Sequence, residues 1–217
     1  MKAAKLIFDK SIRELNDIQT IYDHLQSEYR LADEISDLLR LQLVNLLSAM
    51  DRFLHEIIRI GLGESFSGTR TITEKAKSFQ VSLGTVVSMN LIASFPAPQN
   101  TQLYWVNNEI IVRLKHLSFQ QSKNVSDGLS LVWSEPHKFQ YLAKAMGCPG
   151  TTDNQKAEYL RQTLDLLVER RNQIVHEADY DVSIQCKRPI TKNIVSDAIQ
   201  FVSSFVQVVY IAVTSNI

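Results

Sequence analysis

"DLLVERRNQIVHEADYD", residues 165 to 181, decides how the rest of the chain is read. The leucines and valines recur at helical spacing, so the segment is predicted as the end of a helix. At about 100° of rotation per residue with Arg171 at zero, Leu160, Leu164, Leu167, Val168, Ile174 and Val175 fall within about 60° on either side. Arg171 therefore stands in the middle of an apolar stripe. A guanidinium keeps its charge at any accessible pH, so burial must give it an acid, a set of carbonyls or an anionic ligand. Asn172 lies about 100° round the helix and His176 about 140°. The two are one turn apart, and His176 is close to the helix end, where the negative pole favours a protonated imidazole.

The remainder of the chain supports the helical reading. The sequence has 217 residues and seven glycines, all between Gly61 and Gly150. Residues 1 to 60 contain neither Gly nor Pro, and residues 151 to 217 contain only Pro189. Both ends thus lack the main helix breakers. A first helix is predicted from Ala3 to Glu28, with Ile7, Ile12, Leu15, Ile18, Ile21, Tyr22 and Leu25 as its stripe. A turn over Tyr29 to Asp33 follows. The second helix, Glu34 to Ile60, is apolar over so wide an arc that it must pack on more than one side. Its Asn45, Ser48, Arg52, His55 and Arg59 share one narrow polar face.

The middle is more broken. "TITE" at 71 to 74 fits a capping box, "FPAPQN" at 95 to 100 a loop, and "QLYWVNNEIIVRLKHL" a helix in preference to a hairpin at Asn107-Asn108. Ser134 is expected to cap a helix that stops at Gly147. Thr152 and Gln155 form a capping box for the helix running to His176. Residues 177 to 190 read as a loop, and Thr191 as the cap of the last helix. The whole is predicted as one all-α domain, residues 1 to 217.

Composition excludes several classes. Hydrophobic residues make up 45% and charged residues 21%, with a formal net charge of zero. That suits a packed core and argues against nucleic-acid binding through one large basic face. Cys148 and Cys186 form no C-x-x-C pair; one disulfide between them is possible, and a reduced cytoplasmic setting fits as well. The N-terminus has no stretch apolar enough for a signal peptide. The apolar C-terminal window carries Asp197, Gln200, Ser203, Ser204 and Gln207 along one edge, which favours a buried helix over a membrane span. "HEIIR" at 55 to 59 has Arg59 where a zinc protease needs its second His. No P-loop, dinucleotide fingerprint or di-iron pattern is present, and no cofactor is expected. Trp105 and Trp133 read as core anchors, and His24, His116 and His137 as surface residues.

"RNQIVH" at 171 to 176 resembles the motif of the HEPN superfamily: Arg, a polar residue, three further residues and His. The chain resembles HEPN domains encoded beside bacterial defence and toxin–antitoxin genes in other stretches too. "LLRLQLVNLLSAMDRFLHEIIR", "SFQQSKNVSDGLSLVW" and "PITKNIVSDAIQFVSSFV" follow the order of such domains, leaving residues 61 to 117 as a family-specific insertion. The resemblance implies an all-α bundle, a homodimer with the Arg and His of both subunits facing one another, and RNA cleavage without a metal. Arg171 would then stabilise phosphoryl charge, His176 would move the proton, and Asn172 would orient the His or touch the phosphate. Asp51, His55, Glu177 and Tyr180 are placed around these three. A cognate antitoxin or nucleotidyltransferase is an implied partner. Some HEPN toxins carry a modifiable Tyr two residues after the His, where this chain has Ala178 and its nearest tyrosine is Tyr180.

The bare Arg-to-His spacing is weak evidence. With 11 Arg and 5 His it is expected by chance roughly 0.25 times. The residues alone leave other readings open. Arg171 would be structural if an acid on another helix, such as Asp51, neutralised it. His176 would be an ordinary helix C-terminal histidine. Asp51 and His55 would be a solvated polar face. A non-catalytic module that binds nucleotide, RNA or protein is the alternative function.

Overall fold

An uninterrupted apolar helix sets the frame. In the computed structural model, which describes residues 1–29, 35–93 and 100–215, it is α2, Ser36–Phe66. Leu39, Leu43, Leu46, Leu47, Met50, Phe53, Leu54, Ile57 and Ile58 are all buried along it. Such an arc needs neighbours on several sides, and α2 lies against α1 (Lys2–Tyr29), α5 (Asn100–Leu114), α6 (Ser122–Leu129), α8 (Asp153–Glu177) and α9 (Lys192–Thr214). Each large apolar side chain so buried contributes about 1.5–3 kcal/mol. Asn45, Ser48 and Arg52 face outward, as the polar face of this helix requires.

The other described helices are α3 (Glu74–Lys77), α4 (Leu83–Ala93) and α7 (Lys138–Ala145). The protein is an all-α bundle. Its only described strands are β1 (Tyr180–Asp181) and β2 (Cys186–Lys187), an antiparallel pair inside the segment expected to be a plain loop.

Several boundaries differ from the expectations. Helix α2 runs to Phe66 rather than ending at Ile60. Gly61 does not break it, because a Cβ there would stand 2.5 Å from Val132 Cγ1: the glycine allows close packing within a helix held by its core face. The cap of α3 is Thr73, whose Oγ1 accepts from Ala76 N at 3.0 Å, two residues later than the Thr71–Glu74 box. Ser134 caps nothing. Helix α7 begins after His137, whose N–H donates to Glu135 Oε1 (2.9 Å). The stripe of α1 is centred on Ala4, Phe8, Leu15 and Tyr22, leaving Ile7 and Ile21 largely exposed. The expected turn at residues 30 to 33 and most of the 95 to 100 loop lie outside the described residues.

Other expectations hold. Residues 100 to 114 are helical. Trp133 is buried, edge-on to Tyr141, as a core anchor; Trp105, expected to be one too, is only half-buried and lies outside the core clusters. His24, His116 and His137 are exposed. Thr191 caps α9, which is long and apolar enough to cross a membrane by length and composition. In the fold its Val202, Phe205, Val206, Val209 and Val213 enter the core beside α2.

Candidate active site

Helix α8 opens on the predicted box. Thr152 Oγ1 accepts from Gln155 N (3.3 Å), and Gln155 Oε1 accepts from Thr152 N (3.2 Å). Ala157, Leu160, Leu164 and Val168 form its buried line. Towards the C-terminal end the line rises to the surface. Leu167, Arg171 and Ile174 are half-buried, and Val175, expected within the stripe, is 45% exposed.

The turn after α8 is unusual. Ala178 and Asp179 both have left-handed backbones, φ 51° and 59°. Such residues cost about 1–2 kcal/mol each without glycine. The fold holds them through the Asp179 carboxylate, which is completely buried. Its Oδ2 accepts from Arg40 Nε (2.5 Å) and Arg170 Nη2 (2.8 Å), and its Oδ1 accepts from Arg170 Nη1. The Arg188 carbonyl accepts from Arg40 Nη2 at 2.7 Å. A buried Arg40–Asp179–Arg170 cluster thus fastens the end of α8 to α2 and to the segment between β2 and α9.

Arg171, next in sequence, has no acid against it among the described residues. Its Nη1 donates to Asn172 Oδ1 (3.0 Å), and its buried Nε has no hydrogen-bond partner among the described residues. Asp51, the acid suggested for it, is engaged elsewhere: its Oδ1 accepts from Phe119 N at 2.6 Å. The proposed Asp51 pairing is therefore corrected. Arg170, not Arg171, is the arginine whose charge the fold neutralises.

Asn172 and His176 line a groove of about 600 Å³ between α8 and the start of α6. Its other walls include Gln121, Ser122, Lys123, Asp165, Glu169, Gln173 and Glu177. His176 is exposed and makes no hydrogen bond among the described residues. Arg171 is not on the groove wall itself. It reaches the groove through Asn172, whose amide it holds.

The supporting residues divide. Glu177 is on the groove and paired with Arg188 Nη2 (2.9 Å). Tyr180 opens β1, its side chain is 44% exposed, and its carbonyl accepts from Arg188 Nη1 (3.0 Å). Asp51 and His55 are not on the groove. His55 Nε2 donates to the Leu117 carbonyl (3.2 Å) and the ring packs on Phe119, so this pair pins the loop leading into α6. The α6 wall is fixed from the other side by Asp165, whose carboxylate accepts from both Ser122 N and Ser122 Oγ at 2.7 Å.

Sequence reasoning missed that wall and the Asp179 cluster. The tandem Arg170-Arg171 was the one local hint. Arg40 is 139 residues from Asp179, and no local pattern links them. Among the described residues no group of three His, Cys, Asp or Glu side chains converges to hold a metal.

The model of one protein family, RiboL-PSP-HEPN, matches residues 9 to 215, nearly the whole chain and including residues 61 to 117. The chain belongs to the HEPN family. Neither the curated proteins nor the solved structures gave a match. Within this HEPN domain, the Arg-Asn-x-x-x-His motif of residues 171 to 176 occupies the last two turns of α8 and faces the groove with its Asn and His.

Proposed function

We propose that this HEPN domain is a metal-independent endoribonuclease acting as a homodimer, with Arg171, Asn172 and His176 of both subunits at one cleft. The observation that carries the reading is the contrast between two adjacent arginines. Arg170 is consumed by a buried acid, whereas Arg171, half-buried, is held among the described residues only by a neutral amide. A guanidinium in that state is suited to an incoming phosphoryl oxygen.

The chemistry follows from these groups. The imidazole of His176 accepts the 2′-hydroxyl proton as that oxygen attacks the adjacent phosphorus. The partner subunit's His176 protonates the departing 5′-oxygen. Arg171 stabilises the charge gathering on the non-bridging oxygens, and Asn172 keeps the guanidinium oriented towards the groove. The products are a 2′,3′-cyclic phosphate and a 5′-hydroxyl, so the reaction is confined to RNA. The same reading makes the protein cytoplasmic, with a cognate antitoxin or nucleotidyltransferase as its controlling partner.

A second reading, a non-catalytic module that binds a single nucleotide or a protein partner rather than an RNA strand, is favoured by the three carboxylates on the groove, Asp165, Glu169 and Glu177, which repel a polyanion. Incubation of purified protein with RNA in EDTA decides between them. The nuclease reading expects cleavage ending in cyclic phosphate, abolished by Arg171→Ala and by His176→Ala. No cleavage by the folded wild type leaves only the module.

A further inference from the structure

The three groove carboxylates differ in what they already hold. Asp165 is saturated by Ser122, and Glu177 is paired with Arg188. Glu169 is exposed and has no hydrogen bond or ion pair among the described residues. It stands one turn before Gln173 on the same face and two turns before His176, about 10 Å along the axis and about 20° round it. The amide of Gln173 is polarised by its other neighbour. Arg170 Nη1 donates to Gln173 Oε1 (3.4 Å), which leaves the amide –NH₂ of this groove-lining residue as the free donor.

The face next to His176 thus offers two acceptors followed by a donor. Among the Watson–Crick edges of the four bases, guanine alone has two adjacent donors, N2–H and N1–H, followed by an acceptor, O6. Adenine and cytosine each set a ring acceptor beside their amino group, and uracil flanks its single donor with two acceptors. Either arrangement points a lone pair at a carboxylate.

Resting on the nuclease reading for its placement beside the scissile phosphate, we propose that the groove binds a guanine base of the RNA. The Glu169 carboxylate accepts from N1–H and N2–H, and the Gln173 amide donates to O6. At about 600 Å³ the groove is within the range of small-molecule sites, and the seven-residue step to His176 leaves room for the ribose and phosphate. Lys123 on the opposite wall, exposed and without an ion pair among the described residues, supplies the positive charge that a nucleotide phosphate needs. Glu169 is then a specificity residue rather than a catalytic one.

The test is calorimetric titration of the full chain with GMP, IMP, AMP, CMP and UMP, which requires no cleavage. GMP is expected to bind about tenfold or more tightly than AMP, CMP or UMP, with IMP, lacking the N2 amino group, in between. Glu169→Gln, which exchanges one acceptor for a donor, is expected to remove the preference while the unfolding midpoint stays unchanged. Equal affinity for the five, no binding of GMP, or a guanine preference that survives Glu169→Gln overturns the proposal. The nuclease reading is judged separately by RNA cleavage, so either can fail alone.

Discussion

Arg170 Nη2 stands 2.8 Å from Oδ2 of Asp179, a carboxylate with no exposed surface, while Arg171, the next residue, has no carboxylate partner among the described residues. The two arginines are therefore expected to separate stability from activity. Asp179→Ala strands two guanidinium groups, of which Arg40 is the more deeply buried, and loses the brace on a left-handed turn. Removing one partner of such a cluster costs about 3–5 kcal/mol. Denaturant unfolding is expected to show that loss for Asp179→Ala and a similar direction for Arg170→Ala. Arg171→Ala should change stability by less than about 1 kcal/mol.

The activity prediction runs the opposite way. Arg171→Ala and His176→Ala should each lower RNA cleavage by about 10²–10⁴-fold, the usual range for one general base or one charge-stabilising donor. Circular dichroism should stay unchanged. Arg171→Lys keeps the charge but not the planar fork, and should recover only part of the rate in a single-turnover assay.

Acid should weaken the packing of α4 on α5 through Glu109. Its carboxyl is held down at about 2, against an ordinary 4.5, chiefly by the Thr85 hydroxyl and then by Arg113 and Ser82. Because the folded value is the lower one, its stabilising contribution is complete above about pH 4.5 and fades as the pH falls towards 2. Unfolding midpoints for wild type and Glu109→Gln should therefore differ most at neutral pH and converge over that interval. A gap of constant size between pH 6 and pH 2 would contradict this account.

Gly128 tests the wall of the groove. A Cβ there would lie 2.5 Å from Phe119 Cε1 and 2.7 Å from Ile58 Cδ1, in the same core that Asp51 and His55 help to close. Gly128→Ala should destabilise the fold by about 1–3 kcal/mol through overpacking, less any gain in helix propensity. Since α6 carries Ser122 and Lys123, the variant should also weaken nucleotide binding in the calorimetric titration.

What the sequence determined by itself was local. Glycine-free ends, the Thr152–Gln155 box, the Thr191 cap and the wide apolar arc of α2 specify helices because their causes act within one or two turns. The Arg171–Asn172–His176 spacing was legible for the same reason, since 100° per residue fixes which side chains share a face. Only the tertiary structure decided which arginine is spent on the fold. Arg171 sits on the apolar stripe, yet the acid at the end of the helix reaches back to Arg170, because two left-handed residues reverse the chain beneath it. The α6 wall, set by Asp165 and by the Asp51–His55 pins, was likewise outside any local pattern. A hydrogen bond between residues 43 or 68 positions apart leaves no periodic trace, and forms only once packing has brought the helices together.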